Sequence, residues 1–128
     1  MNQKYTILII DDEQKIIDIL SLILLHAGYN VLPDQTGSLF FLQSEPLPDL
    51  ILLDNQLADK SGAEICRKLK SSVLTRQIPV MMISGTEGID LIAEKAMADD
   101  YLPKPLDLQL LLDKIDSLLH KGMLSYQA

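Results

Sequence analysis

Residues 5–12, Tyr5-Thr6-Ile7-Leu8-Ile9-Ile10-Asp11-Asp12, form an apolar run that stops at two carboxylates. Three later runs end in a similar way: Leu50–Leu53 at Asp54, Val80–Ile83 at Ser84, and Tyr101–Leu102 through Pro103 at Lys104. Short apolar runs bounded by polar residues are typical of buried parallel strands. In a doubly wound sheet, ligands bind just beyond the carboxyl ends of the strands. The pattern therefore predicts one site at which four strand ends meet.

Strand and helix patterns alternate along the whole chain. The predicted strands are Tyr5–Ile10, Tyr29–Leu32, Leu50–Leu53, Val80–Ile83 and, approximately, Asp100–Leu102. The predicted helices are Glu13–Ala27, Ser38–Gln43, one that begins at a capping box of Ser61 and Glu64, Glu87–Met97, and one from Asp107 as N-cap to about His120. Five strands alternating with five helices predict an α/β fold, a three-layer sandwich with right-handed crossovers.

The spacing of apolar residues predicts which side of each helix is buried. The predicted inner residues are Ile16, Ile19, Leu20, Ile23, Leu24 and Ala27 in the first helix, Ile65, Cys66 and Leu69 in the third, and Leu108, Leu111, Leu112, Ile115 and Leu119 in the last. Leu22 and Leu25 fall on the outer side of the first helix. The single cysteine is thereby predicted to be a small buried hydrophobe.

Length and charge narrow the class of protein. A chain of 128 residues, with a predicted core of about residues 4–121, predicts one domain. Eighteen Asp and Glu against eleven Lys and Arg give a net charge of −7, which opposes direct contact with nucleic acid. No secretory pattern precedes Tyr5, and no apolar stretch reaches the roughly 20 residues of a membrane span. We therefore expect a cytoplasmic protein without membrane contact.

The three carboxylates at the predicted strand ends, Asp11, Asp12 and Asp54, repel one another. Two like charges 4 Å apart cost about 4 kcal/mol at an effective dielectric constant of 20. Either one carboxyl group holds a proton or a cation binds among them. Ligands that are all oxygen suit Mg²⁺ or Mn²⁺ rather than zinc.

The arrangement of Asp11-Asp12-Glu13, Leu52-Leu53-Asp54, Ser84 and Asp99-Asp100-Tyr101-Leu102-Pro103-Lys104-Pro105 resembles a receiver domain of two-component response regulators. The resemblance covers essentially the whole chain. It implies a five-stranded parallel sheet of flavodoxin-like order 2-1-3-4-5 and a cis peptide bond between Lys104 and Pro105. It also implies that the metal ligands are Asp12 and Asp54, with Asp11 acting largely through water, and the backbone carbonyl of Gln56.

The same resemblance implies a phosphorelay function. Asp54 would accept a phosphoryl group from a phosphohistidine on a sensor histidine kinase or a histidine phosphotransfer protein, and Lys104 would contact a phosphoryl oxygen. Ser84 and Tyr101 would form a switch read by a downstream protein, by a fused output domain or by a second copy in a homodimer. The protein would catalyse its own phosphorylation and dephosphorylation rather than act on a separate substrate.

Several positions depart from the family pattern, namely Ala58 for proline, Gly85 for alanine, Met97 for glycine and Leu106 for an aromatic residue. None of these departures affects the predicted acceptor residues. Most lie near the surface that the resemblance implies a partner would bind. Gln56 and Thr86 border the acceptor pocket at positions that vary within the family.

The residues also allow less specific interpretations. Asp11 and Asp12 could simply end a strand or cap a helix, Ser84 could be a loop hydroxyl, and Lys104 could be a solvated charge. A second class of function is a protein-interaction module that works without phosphorylation. A third class, an aspartate-nucleophile phosphatase or a flavin protein, is disfavoured because Gln56 replaces a second aspartate and no glycine-rich loop follows the first strand. The chain could act alone, like a chemotaxis-type receiver, or belong to a longer regulator.

Overall fold

The computed structural model describes residues 4–39, 46–58 and 60–120 of the chain. The strands are β1 (Thr6–Ile10), β2 (Asn30–Asp34), β3 (Leu50–Asp54), β4 (Val80–Ser84) and β5 (Asp100–Pro103). The helices in these segments are α1 (Gln14–His26), α2 (Gly62–Ser71), α3 (Ile89–Lys95) and α4 (Leu108–Leu119). The alternation of strands and helices predicted from the sequence is confirmed except between β2 and β3, where the described residues contain no helix.

The five strands form one parallel sheet in the order β2-β1-β3-β4-β5, as the family resemblance implied. Neighbouring strands end nearly in register, because Ile10 pairs with Leu53 and Ser84 pairs with Pro103. The polar residues at the ends of β1, β3, β4 and β5 are thereby brought to the same edge of the sheet.

A hydrophobic core lies on each face of the sheet, which gives the predicted three layers. One face packs against α2 and α3 through strand residues Leu8, Ile10, Ile51, Leu53, Val80 and Met82. The other packs against α1 and α4 through Ile7, Ile9, Leu50, Leu52, Met81, Ile83 and Leu102. Strand side chains are buried on both faces, which explains why these runs are apolar throughout rather than alternating.

The helix count differs from the prediction, since the described residues contain four helices rather than five. The predicted helix Ser38–Gln43 lies largely outside the described residues. Ser38 and Leu39, which are described, are not helical, and Leu39 has a φ of 62°.

Two predicted helix faces are partly wrong. Ile17 is buried in α1, whereas Ile19, which the prediction placed inside, is 53% exposed. In α4, Leu111 and Ile115 are buried, but Leu108 is 44% exposed. In both helices more positions are apolar than the sheet can cover, so spacing alone does not select the buried stripe.

Helix boundaries follow local chemistry. The Ser61 hydroxyl accepts hydrogen bonds from the backbone N–H groups of Ala63 and Glu64, and the Asp107 carboxylate accepts one from Leu110, so both predicted N-caps are confirmed. Gly88 takes a left-handed conformation immediately before α3, which delays that helix to Ile89. None of the helices in the described segments has the length and hydrophobicity that crossing a bilayer requires.

Candidate functional site

Three aspartates meet at the carboxyl edge of the sheet. Asp11 and Asp12 follow β1, and Asp54 is the last residue of β3. One carboxylate oxygen from each lies within 4.8 Å of the other two. Asp11 is 3% and Asp54 5% exposed, whereas Asp12 is only partly buried. Two of the three charges therefore lack most of the water that would stabilise them.

The electrostatics of the cluster follow from this burial. Desolvation, reinforced by the neighbouring charge of Asp11, raises the pKa of Asp54 to about 6. Desolvation also raises the pKa of Asp11, although the backbone N–H of Glu13, which donates to its Oδ1 at 2.9 Å, works in the opposite direction. Both shifts show that burial outweighs the opposing influence of Lys104 on these two carboxyl groups.

Lys104 supplies one positive charge. Its Nζ lies 3.8 Å from Oδ1 of Asp54 and 3.9 Å from Oδ2 of Asp11. The backbone N–H of Lys104 donates to the carbonyl of Ser84 at 3.0 Å, and the peptide bond to Pro105 is cis. At these distances the ammonium faces both carboxylates without a tight hydrogen bond to either.

The donor set fits a hard divalent cation. Three carboxylates of one site provide only oxygen ligands, and the described residues place no histidine or cysteine in this cluster. Oxygen-only sites in proteins suit Mg²⁺ and Mn²⁺. A dication would also offset both the burial and the neighbouring negative charge that raise the pKa of Asp54.

The loop from β3 to α2 holds Asp54 in place. The backbone N–H of Gln56 donates to Oδ1 of Asp54 at 3.3 Å. Gly62 donates its N–H to the carbonyl of Asn55 at 2.8 Å, and the Asn55 side chain accepts from Ala63. A Cβ on Gly62 would lie 2.3 Å from the carbonyl oxygen of Asp54, so only glycine allows this approach.

Ser84 and Tyr101, the predicted switch residues, share one face of the sheet. Leu102 packs in the core beneath α1 and α4, so its neighbour Tyr101 lies on the opposite face, together with Met82 and Ser84. Ser84 is fully buried, and its hydroxyl accepts a hydrogen bond from the N–H of Thr86 at 2.9 Å. Tyr101 is 37% exposed.

Sequence reasoning missed the role of Asp34, because it ended the second strand at Leu32. The carboxylate of Asp34 accepts from the N–H groups of Thr36, Gly37 and Leu39 and from the Thr36 hydroxyl, and its carbonyl accepts from the N–H of Asp11 at 3.1 Å. Asp34 thus orders the turn beside the aspartate cluster. The Asp-Gln-Thr-Gly segment is a turn signal that could have revealed it.

Comparison with known proteins agrees with this geometry. The family model for the response regulator receiver domain matches residues 7–116. The chain belongs to this family. The receiver domain is 36% identical over 119 residues to the phosphate regulon transcriptional regulatory protein PhoB of Pseudomonas aeruginosa, an alignment that covers 91% of this chain and 52% of that protein.

Two further relatives extend the comparison. The DNA-binding dual master transcriptional regulator RpaA of Synechocystis is 36% identical over 120 residues, covering 90% of this chain and 49% of RpaA. A CheY-like response regulator receiver domain protein from Methanospirillum hungatei has a TM-score of 0.85 at 29% identity, covering 96% of this chain and 99% of that one. The receiver domain thus spans about half the length of the curated relatives it matches.

Proposed function

We propose that this receiver accepts a phosphoryl group at Asp54 from a phosphohistidine of a sensor histidine kinase or a histidine phosphotransfer protein. The observation that carries the proposal is the buried Asp54 carboxylate, with two further carboxylates within 4.8 Å and the Lys104 ammonium 3.8 Å away. A solvated strand end or a simple helix cap would not require this concentration of charge.

In the proposed transfer, an Asp54 carboxylate oxygen attacks the phosphorus atom. As the O–P bond forms, the P–N bond of the phosphohistidine breaks and its electron pair returns to the imidazole nitrogen. Lys104, whose Nζ lies 3.8 Å from Oδ1 of Asp54, would contact a phosphoryl oxygen. The same site would later admit water and release phosphate, so the receiver would catalyse both changes of its own state.

Asp12 and Asp54 are the proposed direct ligands of Mg²⁺, or of Mn²⁺, together with the backbone carbonyl of Gln56, and Asp11 acts largely through water. Such a dication, when bound, neutralises charge on the transferred phosphoryl oxygens. The residues themselves keep the acceptor oxygen in place, through the loop bond from Gln56 and the close approach of Gly62.

Ser84 and Tyr101 are the proposed switch. A phosphoryl group of charge about −1.5 to −2 on Asp54 would offer acceptor oxygens to the Ser84 hydroxyl, which would then leave the N–H of Thr86. The loop after β4 would move with it and favour an inward position of Tyr101. This is a shift between two packings of the same fold, read on the surface formed by α3, β5 and α4.

The proposed readers of that surface are a downstream protein, a fused output domain, or a second copy of the receiver in a homodimer that forms on phosphorylation. The net charge of −7 argues that the receiver itself does not contact nucleic acid. Residues 1–128 are proposed to form a single domain, and a cytoplasmic location remains a prediction.

The deciding experiment is incubation with Mg²⁺ and acetyl phosphate, followed by mass spectrometry of the intact protein. We expect one phosphoryl group on the wild type and on Asp18→Asn, an exposed carboxylate of α1, and none on Asp54→Asn. Asp12→Asn should slow the reaction strongly. A folded wild type that takes up no phosphoryl group and shows no amide NMR shifts with beryllofluoride would overturn the proposal and favour an interaction module that works without phosphorylation.

A further inference from the structure

Tyr101 is held at the outer edge of the sheet by a cation from α4. The Nζ of Lys114 lies 5.5 Å from the centroid of the Tyr101 ring and 2.8 Å from Oδ1 of Asp100. The same Asp100 oxygen accepts the backbone N–H of Tyr101 at 2.8 Å. The Lys114 and Asp100 side chains are 25% and 26% exposed, so neither charge is fully solvated. A cation within about 6 Å of a ring centroid is attracted to the face of the ring.

An open groove lies beside the same ring, between β5 and α3. It has a volume of about 370 Å³ and is lined by Tyr101, by Ala93 and Ala98, and by four acidic residues, Asp90, Glu94, Asp99 and Asp100. Grooves above about 300 Å³ accommodate whole small-molecule ligands, so this one has room for a single phenol ring. The position beneath Lys114 is the one observed, and the groove beside α3 is the second position that the inference below assigns to the ring.

We propose that Lys114 is a positioning residue of the switch: by binding Asp100 and the outward face of Tyr101 together, it favours the inactive position of the ring. The inference rests on the proposed function, in which phosphorylation of Asp54 favours the inward position. Lys114 contacts neither the acceptor nor the phosphoryl group. It sets how much of the receiver is already in the active packing before phosphorylation.

The expected effect follows from the size of these contacts. A partly exposed ion pair and a cation–π contact together shift a two-state equilibrium by about three- to tenfold. Because beryllofluoride, a mimic of the phosphoryl group, would bind the active packing preferentially, removing the Lys114 contacts should lower its apparent dissociation constant by about that factor.

Two variants with opposite changes in charge separate this effect from simple electrostatics. Lys114→Met removes the cation and keeps the length of the side chain. Asp100→Asn removes the anion that anchors the cation, while its amide oxygen can still accept the N–H of Tyr101. If the bulk charge alone mattered, the two changes would move the affinity for an anion in opposite directions. Release of Tyr101 moves it in the same direction in both variants, and Lys114→Arg should restore the wild-type value.

The position of Tyr101 can be followed directly by ¹⁹F NMR of protein labelled with 3-fluorotyrosine. The chain has four tyrosines, and Tyr101→Phe assigns the signal. In Lys114→Met and Asp100→Asn, without ligand, we expect the Tyr101 signal to move toward the position it takes in the wild type with beryllofluoride and Mg²⁺. In Lys114→Arg the signal should stay at the wild-type position.

Failure of this inference is distinguishable from failure of the proposed function. One outcome is that beryllofluoride shifts the Tyr101 signal in the wild type and in the variants, while their signals without ligand and their apparent dissociation constants for beryllofluoride are alike. In that case Lys114 does not position the ring. If the apparent dissociation constants of Lys114→Met and Asp100→Asn for beryllofluoride change in opposite directions, the cause is the changed charge of the protein, and the inference is also wrong. If beryllofluoride changes no signal in the wild type, the proposed function itself fails.

Discussion

Asp54 combines burial with close negative neighbours, and this combination determines how the site depends on pH. Its pKa of about 6 means that the folded protein binds a proton at Asp54 more tightly than the unfolded chain does. Where the native state holds more protons, the free energy of unfolding falls as pH rises. The destabilisation begins near the ordinary aspartate pKa and is complete above the raised one.

We therefore predict that Asp54→Asn stabilises the receiver at pH 7.5 by about 1–3 kcal/mol in the presence of EDTA, and much less at pH 4.5. The neutral amide removes the penalty that ionised Asp54 imposes above its pKa, whereas at low pH the wild-type carboxyl group is already neutral. Urea unfolding followed by circular dichroism at both pH values measures this. Equal gains at the two pH values would contradict the electrostatic explanation.

Gly62 affects the stability of the acceptor loop, because its backbone lies very close to the backbone of Asp54 and Asn55. A Cβ on Gly62 would lie 2.3 Å from the carbonyl oxygen of Asp54 and 2.6 Å from Cα of Asn55. Gly85 is a matched control near the same site, since its nearest neighbour would be Cβ of Lys104 at 3.8 Å. Neither glycine has a positive φ, so the two differ in what surrounds them rather than in backbone conformation that only glycine adopts.

We predict that Gly62→Ala lowers the free energy of unfolding by about 1–3 kcal/mol or more, because backbone atoms of the acceptor loop must move apart. Gly85→Ala should leave stability unchanged or raise it by up to about 1 kcal/mol. Urea unfolding of the two variants tests this. A stable Gly62→Ala protein with normal phosphorylation would show that the approach to Asp54 is not required.

At the scale of secondary-structure elements, Lys70 of α2 contacts the residues just before β4 and β5, at the amino-terminal edge of the sheet. Its ammonium contacts Oδ2 of Asp99 at 2.6 Å and the carbonyl of Ile78 at 2.8 Å. The same Asp99 oxygen accepts the N–H of Val80 at 2.7 Å. The Lys70 side chain is 10% exposed and the Asp99 side chain 32%, so the cation is largely removed from water while the carboxylate stays partly solvated.

We predict that Lys70→Met destabilises the receiver by about 1–2 kcal/mol, because it removes the charged partner of Asp99 and the donor to the carbonyl of Ile78. Asp116→Asn, which removes the partner of His120 in an exposed pair, should change stability by less than about 0.5 kcal/mol. Thermal unfolding of both variants measures the difference. Similar costs for the two would mean that burial does not strengthen the Lys70 pair.

At the scale of the whole molecule, the net charge of −7 and the aspartate cluster act in the same direction. Repulsion among carboxylates opposes the compact state, and a dication that binds only the folded protein stabilises it. This stabilisation should require binding of the dication at the aspartate cluster, and it should be larger than the stabilisation that salt gives by general screening.

We predict that MgCl₂ at about ten times its dissociation constant adds about 1.4 kcal/mol to the free energy of unfolding, which raises the Tm by several degrees. NaCl at equal ionic strength is the control and should give less. In Asp12→Asn the specific gain should largely disappear. An equal response of wild type and variant would place the stabilising metal elsewhere or indicate screening alone.

Much of the fold was predictable because its strands are buried on both faces. The run from Ile7 to Ile10 has no polar residue, and the carboxylates directly after it mark the strand end. The helices were less predictable, since α1 carries apolar residues around much of its surface and Ile17, not Ile19, faces the sheet. The second strand was ended too early at Leu32, because Pro33 is tolerated in an edge strand.

The sequence by itself determined the α/β alternation, the strand ends that bear Asp11, Asp54, Ser84 and Lys104, and the family that this pattern resembles. These features are local, because they depend on short apolar runs and on the polar residue at the end of each run. Only the tertiary structure decided which charges meet. Three contacts arise from packing between segments that are apart in sequence: Lys104 with Asp54, Gly62 with the backbone of Asp54, and Lys114 with the ring of Tyr101. Their geometry depends on how the elements pack and cannot be obtained from composition or spacing.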